Sequence, residues 1–191
     1  MYLKIKRIID IILSLVLLIL LIPFFIVIII ILRLIGIKNP IFKQKRSGKN
    51  NKEFLIYKFR TMNNNNIPPF CKFLRTTGID ETLQLFNILK GEMSFIGPRP
   101  WIFEYSKHFN NKQMKRLDVL PGLTGLAQIH NCKNIFEKIE LDLEYIDKLS
   151  FKLDLLIFLN TIKIVLTGKK KEFSSTDIND EIALLSEQTN N

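Results

Sequence analysis

Two acids stand side by side at Asp80-Glu81, where a run of apolar residues at helical spacing begins. Carboxylates in a first helical turn ordinarily cap the helix and complement its dipole, which needs no chemistry. The surrounding cations give a second reading. Lys58, Arg60, Arg75 and Arg99 supply positive charge for a phosphorylated ligand, and arginine's planar fork matches phosphate oxygens. In such surroundings a carboxylate either shares Mg²⁺ with a pyrophosphate or attacks phosphorus itself, splitting one displacement into two. The residues alone leave both readings open.

The other reactive side chains are less informative. Cys71 and Cys132 are too few for a disulfide framework and have no metal-ligand spacing, so both are expected to be reduced, structural thiols. His108 and His130 are isolated.

The elements that must position the acids follow from periodicity and punctuation. From Thr77 onward the pattern is helical, with Leu83, Leu85, Phe86, Ile88 and Leu89 on an apolar face and Gly91 as its stop. Before it, residues 37–67 read as an extended or hairpin segment ending in the polar loop Asn63 to Asn66. After it, Gly97-Pro98-Arg99-Pro100 is a rigid turn, since two prolines fix φ on either side of Arg99, and Pro121-Gly122 with Gly125 marks a second tight loop. Residues 137–147 and 151–166 read as two more helices. Lys152, Asp154, Asn160 and Lys163 interrupt the second, which suits it to a membrane interface or to packing on the domain.

The start of the chain is different. From Ile11 to Leu32 only Ser14 and Pro23 interrupt strongly apolar residues. That run gives roughly 33 Å of helix, close to the roughly 30 Å of a bilayer's hydrocarbon core. It is longer than a signal-peptide core and no small-residue cleavage site follows, so the segment is expected to be retained. Lys4, Lys6 and Arg7 precede it, and Arg33, Lys38, Lys43, Lys45, Arg46, Lys49 and Lys52 follow. The positive-inside tendency therefore pulls both ends to one face, and Pro23 supplies a kink for re-entry. The formal charge of +10 would suit nucleic acid, anionic membrane or phosphorylated substrates. The apolar anchor decides for anionic membrane lipid and against nucleic acid.

Taken in order, the motifs resemble those of the bacterial sugar transferase family, the small monotopic phosphoglycosyl transferases. The stretches that carry the resemblance begin with Lys6-Arg7-Ile8-Ile9-Asp10, Pro40 through Gly48, and Lys58-Phe59-Arg60-Thr61-Met62. They continue with Leu74-Arg75-Thr76 through Asp80-Glu81, Gln84 through Ser94, Gly97-Pro98-Arg99-Pro100, and Pro121 through Gln128. Three positions depart from the family's usual pattern. Ile22 replaces a common Ser before the proline, Thr82-Leu83 follow the acids, and His130-Asn131-Cys132-Lys133-Asn134 stands where Asn-Gly-Arg-Asn is usual.

The resemblance implies an α-rich α/β fold: a single compact membrane-associated domain with an N-terminal re-entrant helix over 1–36, interfacial amphipathic helices and a catalytic domain over 37–167, while the Lys169-Lys170-Lys171 run and polar composition beyond Gly168 read as a disordered tail over 168–191. It implies transfer of a sugar 1-phosphate from a UDP-sugar to polyprenyl (undecaprenyl) phosphate, releasing UMP, on the cytoplasmic face of the bacterial inner membrane. Asp80 would be the nucleophile, and Glu81 would hold Mg²⁺. Lys58, Arg75 and Arg99 match phosphate-contacting residues, Arg60 joins them as a neighbouring cation, Lys133 stands in for an arginine, and Asp154 matches an acid near the domain's end. Capsule, O-antigen, exopolysaccharide or glycoprotein assembly would follow, with downstream glycosyltransferases as further partners. The rival expectation is an inactive membrane adaptor of such an assembly complex.

Overall fold

Tyr2–Leu34 form one helix, α1, which continues through Pro23. The computed structural model describes residues 1–62, 66–167 and 185, so three of the four asparagines of the expected loop and nearly all of the expected tail lie outside the described residues. The buried positions of α1, Asp10, Ser14, Leu18, Phe25, Ile28 and Leu32, recur at spacings that trace one stripe. Elsewhere its surface is also apolar: Ile8, Ile12, Ile19, Leu20, Phe24, Ile26 and Val27 are all exposed. A helix apolar all round is a membrane or deep-core helix, and α1 is long and apolar enough to cross a bilayer.

Contacts divide the chain into two compact units, Met1–Gln44 with Leu55–Met93, and Lys45–Phe54 with Ser94–Asn191. Strands β1 (Ile41–Ser47) and β2 (Glu53–Phe59) pair as a two-stranded sheet. Asn50 and Asn51, in the short link between them, take positive φ near 55°, a conformation asparagine tolerates better than most residues. The extended reading of this region therefore matches the strands.

In the first unit, α2 (Pro69–Thr77) and α3 (Leu85–Lys90) flank the acidic pair. The expected helix beginning at Thr77 is corrected here. Thr77 is the last residue of α2, and its hydroxyl donates back to the carbonyls of Phe73 and Leu74. Gly78 then turns left-handed with φ of 76°, Ile79–Gln84 make a 3-10 segment, and α-geometry resumes only at Leu85. The helix α2 was not expected, although Pro69 inside its start and Gly78 just past its end are signals for it. Gly91 ends α3 with φ of 91°, as expected of a stop.

The second unit is built around a parallel pair, β3 (Ser94–Ile96) with β4 (Gly122–Thr124), in which Ser94 faces Gly122 and Ile96 faces Thr124. The short helices α4 (Phe103–Ser106), α5 (Asn111–Met114) and α6 (Leu126–Ile129) are followed by α7 (Ile135–Asp147) and α8 (Phe151–Thr167). The helix expected at 137–147 starts two residues earlier, where the Asn134 side chain accepts from the Glu137 amide at 2.9 Å. Trp101, Tyr105, Phe109, Leu117, Ile135, Ile139, Leu143 and Leu185 form one core cluster, and Ile96, Leu126, Tyr145 and Ile157 form another. The described chain is helix-rich with two small sheets, an α/β arrangement of the expected kind.

Candidate active site

Asp80 and Glu81 sit in the first turn of the 3-10 segment, both half-buried. The left-handed Gly78 makes that corner possible, because only a residue without Cβ takes this φ without strain. The Glu81 amide donates to the Gly78 carbonyl at 3.1 Å, which closes the turn that carries both acids.

Lys58 on β2 reaches Glu81 with Nζ 2.6 Å from Oε1. Both side chains keep only about a fifth of their surface exposed (17% and 21%), so water screens this pair less than a surface pair. Its alignment rests on Asn87, which is fully buried on α3. The Asn87 amide donates to the Leu55 carbonyl at 2.7 Å and accepts from the Tyr57 amide at 3.3 Å. A side-chain amide thus pairs with β2 as another strand would, and it also donates to Glu92 Oε2 at 2.6 Å. From the other side Arg7 of α1 donates to the Ile88 and Leu89 carbonyls at 2.6 and 3.0 Å, satisfying the C-terminal end of α3. A Cβ at Gly91 would lie 3.2 Å from that guanidinium, so a larger residue there would press on the Arg7 contact.

The remaining expected site residues lie as follows. Arg60 donates to the Asn39 carbonyl at 2.9 Å and lies over the Phe42 ring at 5.5 Å. Arg75 is exposed in the last turn of α2. In the second unit Arg99 is half-buried in its proline-flanked turn, and Lys133 is exposed, its amide donating to Glu137. Asp154, an acid in the first turn of α8, is 5% exposed and accepts from the Tyr145 hydroxyl at 2.8 Å. Among the expected cations, Lys58 meets an expected acid, Glu81.

The two glycine loops of the second unit lie backbone to backbone. A Cβ on Gly122 would overlap the Gly97 nitrogen, and one on Gly125 would overlap the Gly97 carbonyl oxygen. Gly97 and the distant pair Gly122 and Gly125 are thereby one packing feature, which explains why the Gly-Pro-Arg-Pro and Pro-Gly-Leu-Thr-Gly motifs occur together.

Sequence reasoning missed the most buried charges. Arg116 and Asp142, each about 1% exposed at the side chain, form an ion pair. Burial pushes the Asp142 carboxyl above its ordinary range, and Arg116, then Arg99, work against that rise. Only Arg116's place in a run of basic residues and Asp142's on the inward side of α7 were readable, and neither predicts a partner 26 residues away.

Among the described residues no group of three or more His, Cys, Asp or Glu is placed to hold a metal ion. Two adjacent carboxylates nevertheless fit Mg²⁺, which binds through one or two protein carboxylates and substrate phosphates rather than in an all-protein cage.

The sequence matches the bacterial sugar transferase model over residues 1–168. It is 38% identical over 180 residues to the uncharacterized sugar transferase EpsL of Bacillus subtilis, covering 86% of this chain and 89% of that protein. It is 35% identical over 189 residues to the UDP-N-acetylgalactosamine-undecaprenyl-phosphate N-acetylgalactosaminephosphotransferase of Aeromonas hydrophila, covering 87% of this chain and 45% of that one. With the UDP-glucose:undecaprenyl-phosphate glucose-1-phosphate transferase of Klebsiella pneumoniae it shares 36% identity over 183 residues, 83% of this chain and 39% of that one. The chain thus spans most of the first relative and under half of the other two, and by these matches it belongs to the bacterial sugar transferase family.

Proposed function

We propose that this protein transfers a sugar 1-phosphate from a UDP-sugar to undecaprenyl phosphate through a covalent aspartyl intermediate, at the cytoplasmic face of the bacterial inner membrane. The observation that carries the proposal is the half-buried Asp80-Glu81 corner with Lys58 bound to Glu81, in a chain whose relatives are named for this reaction. An Asp80 carboxylate oxygen attacks the sugar-bearing phosphorus of the donor. The bond from that phosphorus to the bridging oxygen breaks, and UMP leaves with the electron pair. A phosphate oxygen of undecaprenyl phosphate then attacks the same phosphorus and expels the carboxylate, giving undecaprenyl diphosphosugar and free enzyme.

Glu81 is the residue assigned to Mg²⁺, which supplies neutralisation of charge on the diphosphate oxygens. Lys58, Arg75 and Arg99 are assigned to phosphate oxygens, Arg60 and Lys133 to weaker electrostatic contact, and Asp154 to holding Tyr145 in the core. The re-entrant form of α1 and an interfacial position for α8 belong to the same reading. α8 buries only Asp154 and Ile157 and exposes Phe151, Leu155, Leu156, Phe158 and Leu159. The soluble donor would meet an acceptor that cannot leave the bilayer, which is the use of an anchored enzyme. Surface-glycan assembly is the proposed use of the product.

The test is UMP release from a panel of UDP-sugars with undecaprenyl phosphate, for the wild-type chain and Asp80→Asn. Wild-type turnover with loss in Asp80→Asn, even of the first half-reaction without acceptor, is the expected result. Normal turnover by Asp80→Asn removes the nucleophile assignment, and silence across the whole panel favours the adaptor.

A further inference from the structure

The turn that carries Arg99 has its backbone held at every residue that follows Gly97. The Pro98 carbonyl accepts from the Gly122 amide at 2.8 Å, the Arg99 carbonyl from Arg116 Nη2 at 2.9 Å, and the Pro100 carbonyl from Arg46 Nη1 at 3.2 Å. The Trp101 carbonyl accepts from the Ser47 amide at 3.0 Å. Of these four, the contact at Arg99 itself comes from the most deeply buried cation, Arg116, which is 2% exposed.

Arg116 is in turn fixed on three sides. Nη2 and Nε both donate to Asp142 Oδ2, at 2.5 and 3.2 Å, and the guanidinium lies 4.4 Å from the Trp101 ring centroid and 5.5 Å from that of Phe109. Stability alone is a weak reason for such an arrangement, because a buried ion pair can often be replaced by well-packed apolar side chains at little loss. Apolar side chains could fill this space and face the rings. They could not hold the Arg99 carbonyl while bound to a carboxylate.

From this geometry we infer that Arg116, anchored by Asp142, is a positioning residue for Arg99. It fixes the carbonyl of a residue whose neighbours on both sides are prolines, so the Arg99 backbone is set before a phosphorylated ligand arrives and little freedom remains to be lost on binding. The inference rests on the reading of Arg99 as a phosphate contact, and its ligand class is a nucleoside diphosphate. Lysine at position 116 would keep the charge but lacks the fork that serves two acceptors at once.

The experiment is a double-mutant cycle on UDP binding, measured by calorimetry on the full chain in lipid nanodiscs, with ligand-free melting recorded for each variant. Arg99→Ala and Arg116→Lys are each expected to weaken UDP binding by about tenfold, and the double variant is expected to bind no more weakly than Arg99→Ala. Asp142→Asn, which keeps the shape but releases Arg116, should show the same lack of additivity. If Arg99→Ala weakens binding and Arg116→Lys weakens it by the same factor again in the double variant, the positioning role is overturned while the Arg99 assignment stands. Unchanged binding in Arg99→Ala, or no binding of UDP by the wild-type chain, overturns both. Loss of the folded state in both Arg116→Lys and Asp142→Asn makes the pair a core requirement and overturns the inference as well.

Discussion

At the scale of single residues, the contact between Lys58 and Glu81 makes a prediction with opposite signs for its two members. The ammonium at 2.6 Å occupies an oxygen that a Mg²⁺ ion would also seek, so cation and metal compete for Glu81. Lys58→Met removes the competitor and, on the proposed reading, a phosphate contact. It is expected to lower kcat by roughly a hundredfold while reducing the Mg²⁺ concentration that gives half-maximal rate. Glu81→Gln is expected to raise that concentration. Titrating Mg²⁺ against UMP release measures both, and shifts in the same direction for the two variants would show that Lys58 and the metal do not share Glu81. The acids and their cations were legible because adjacent carboxylates at a turn are a local pattern. Asn87, Arg116 and Asp142 were not, because each matters through partners 26 to 32 residues away, and no local signal marks a polar residue as buried.

At the scale of elements, α3 is held by two side chains that do a backbone's work. Asn87 satisfies the Leu55 carbonyl and Tyr57 amide of β2, so Asn87→Leu, close in volume, leaves both without this partner at once. A loss of about 2–3 kcal/mol in unfolding free energy is expected, since stranded polar groups cost their full desolvation. Asn87→Asp, which keeps the acceptor for Tyr57 but not the donor for Leu55, should lose at least as much, because it also brings a carboxylate to Glu92. Chemical denaturation of the three proteins orders them, and an Asn87→Leu variant as stable as wild type would show that α3 docks by its apolar face alone. At the other end of α3, Gly91→Ala meets both a positive φ and the Arg7 guanidinium, and about 1–3 kcal/mol of destabilisation is expected. Hydropathy and punctuation revealed α1, β1 and β2, α7 and α8, but not the parallel pair of β3 and β4, whose second strand, Gly122–Thr124, lies where a tight loop was expected. They misplaced the start of the acidic helix because Thr77 satisfies the capping pattern by type, while Gly78 decides the geometry by ending one helix and opening a 3-10 turn.

At the scale of the whole molecule, the remaining choice is whether α1 crosses the membrane or returns to the side it entered. Charge argues for return: Lys4, Lys6 and Arg7 lie before the apolar run and Arg33 and Lys38 after it, in a chain with 28 basic and 18 acidic residues. Packing argues the same way. Arg7, near the start of α1, is bound to the end of α3, and Phe25, far along the helix, meets Phe59 of β2 edge to face at 5.6 Å. Eighteen residues separate these two anchors, about 27 Å of helix, nearly the depth of the hydrocarbon core. A crossing α1 would have to drag β2 and α3, with their polar surfaces, into lipid or give up one anchor. Pro23 lowers the cost of bending, since it offers no amide to the Ile19 carbonyl. The expected outcome is therefore that single cysteines near residue 3 and after Lys38, in a background lacking Cys71 and Cys132, are both protected from an impermeant thiol reagent in intact cells and both labelled once the cells are opened. Labelling of the N-terminal cysteine in intact cells would establish a crossing helix. In that event Arg7 could not hold α3 in the membrane, and Arg7→Ala should leave ligand-free melting unchanged, whereas the returning form predicts a lower melting temperature for the same variant.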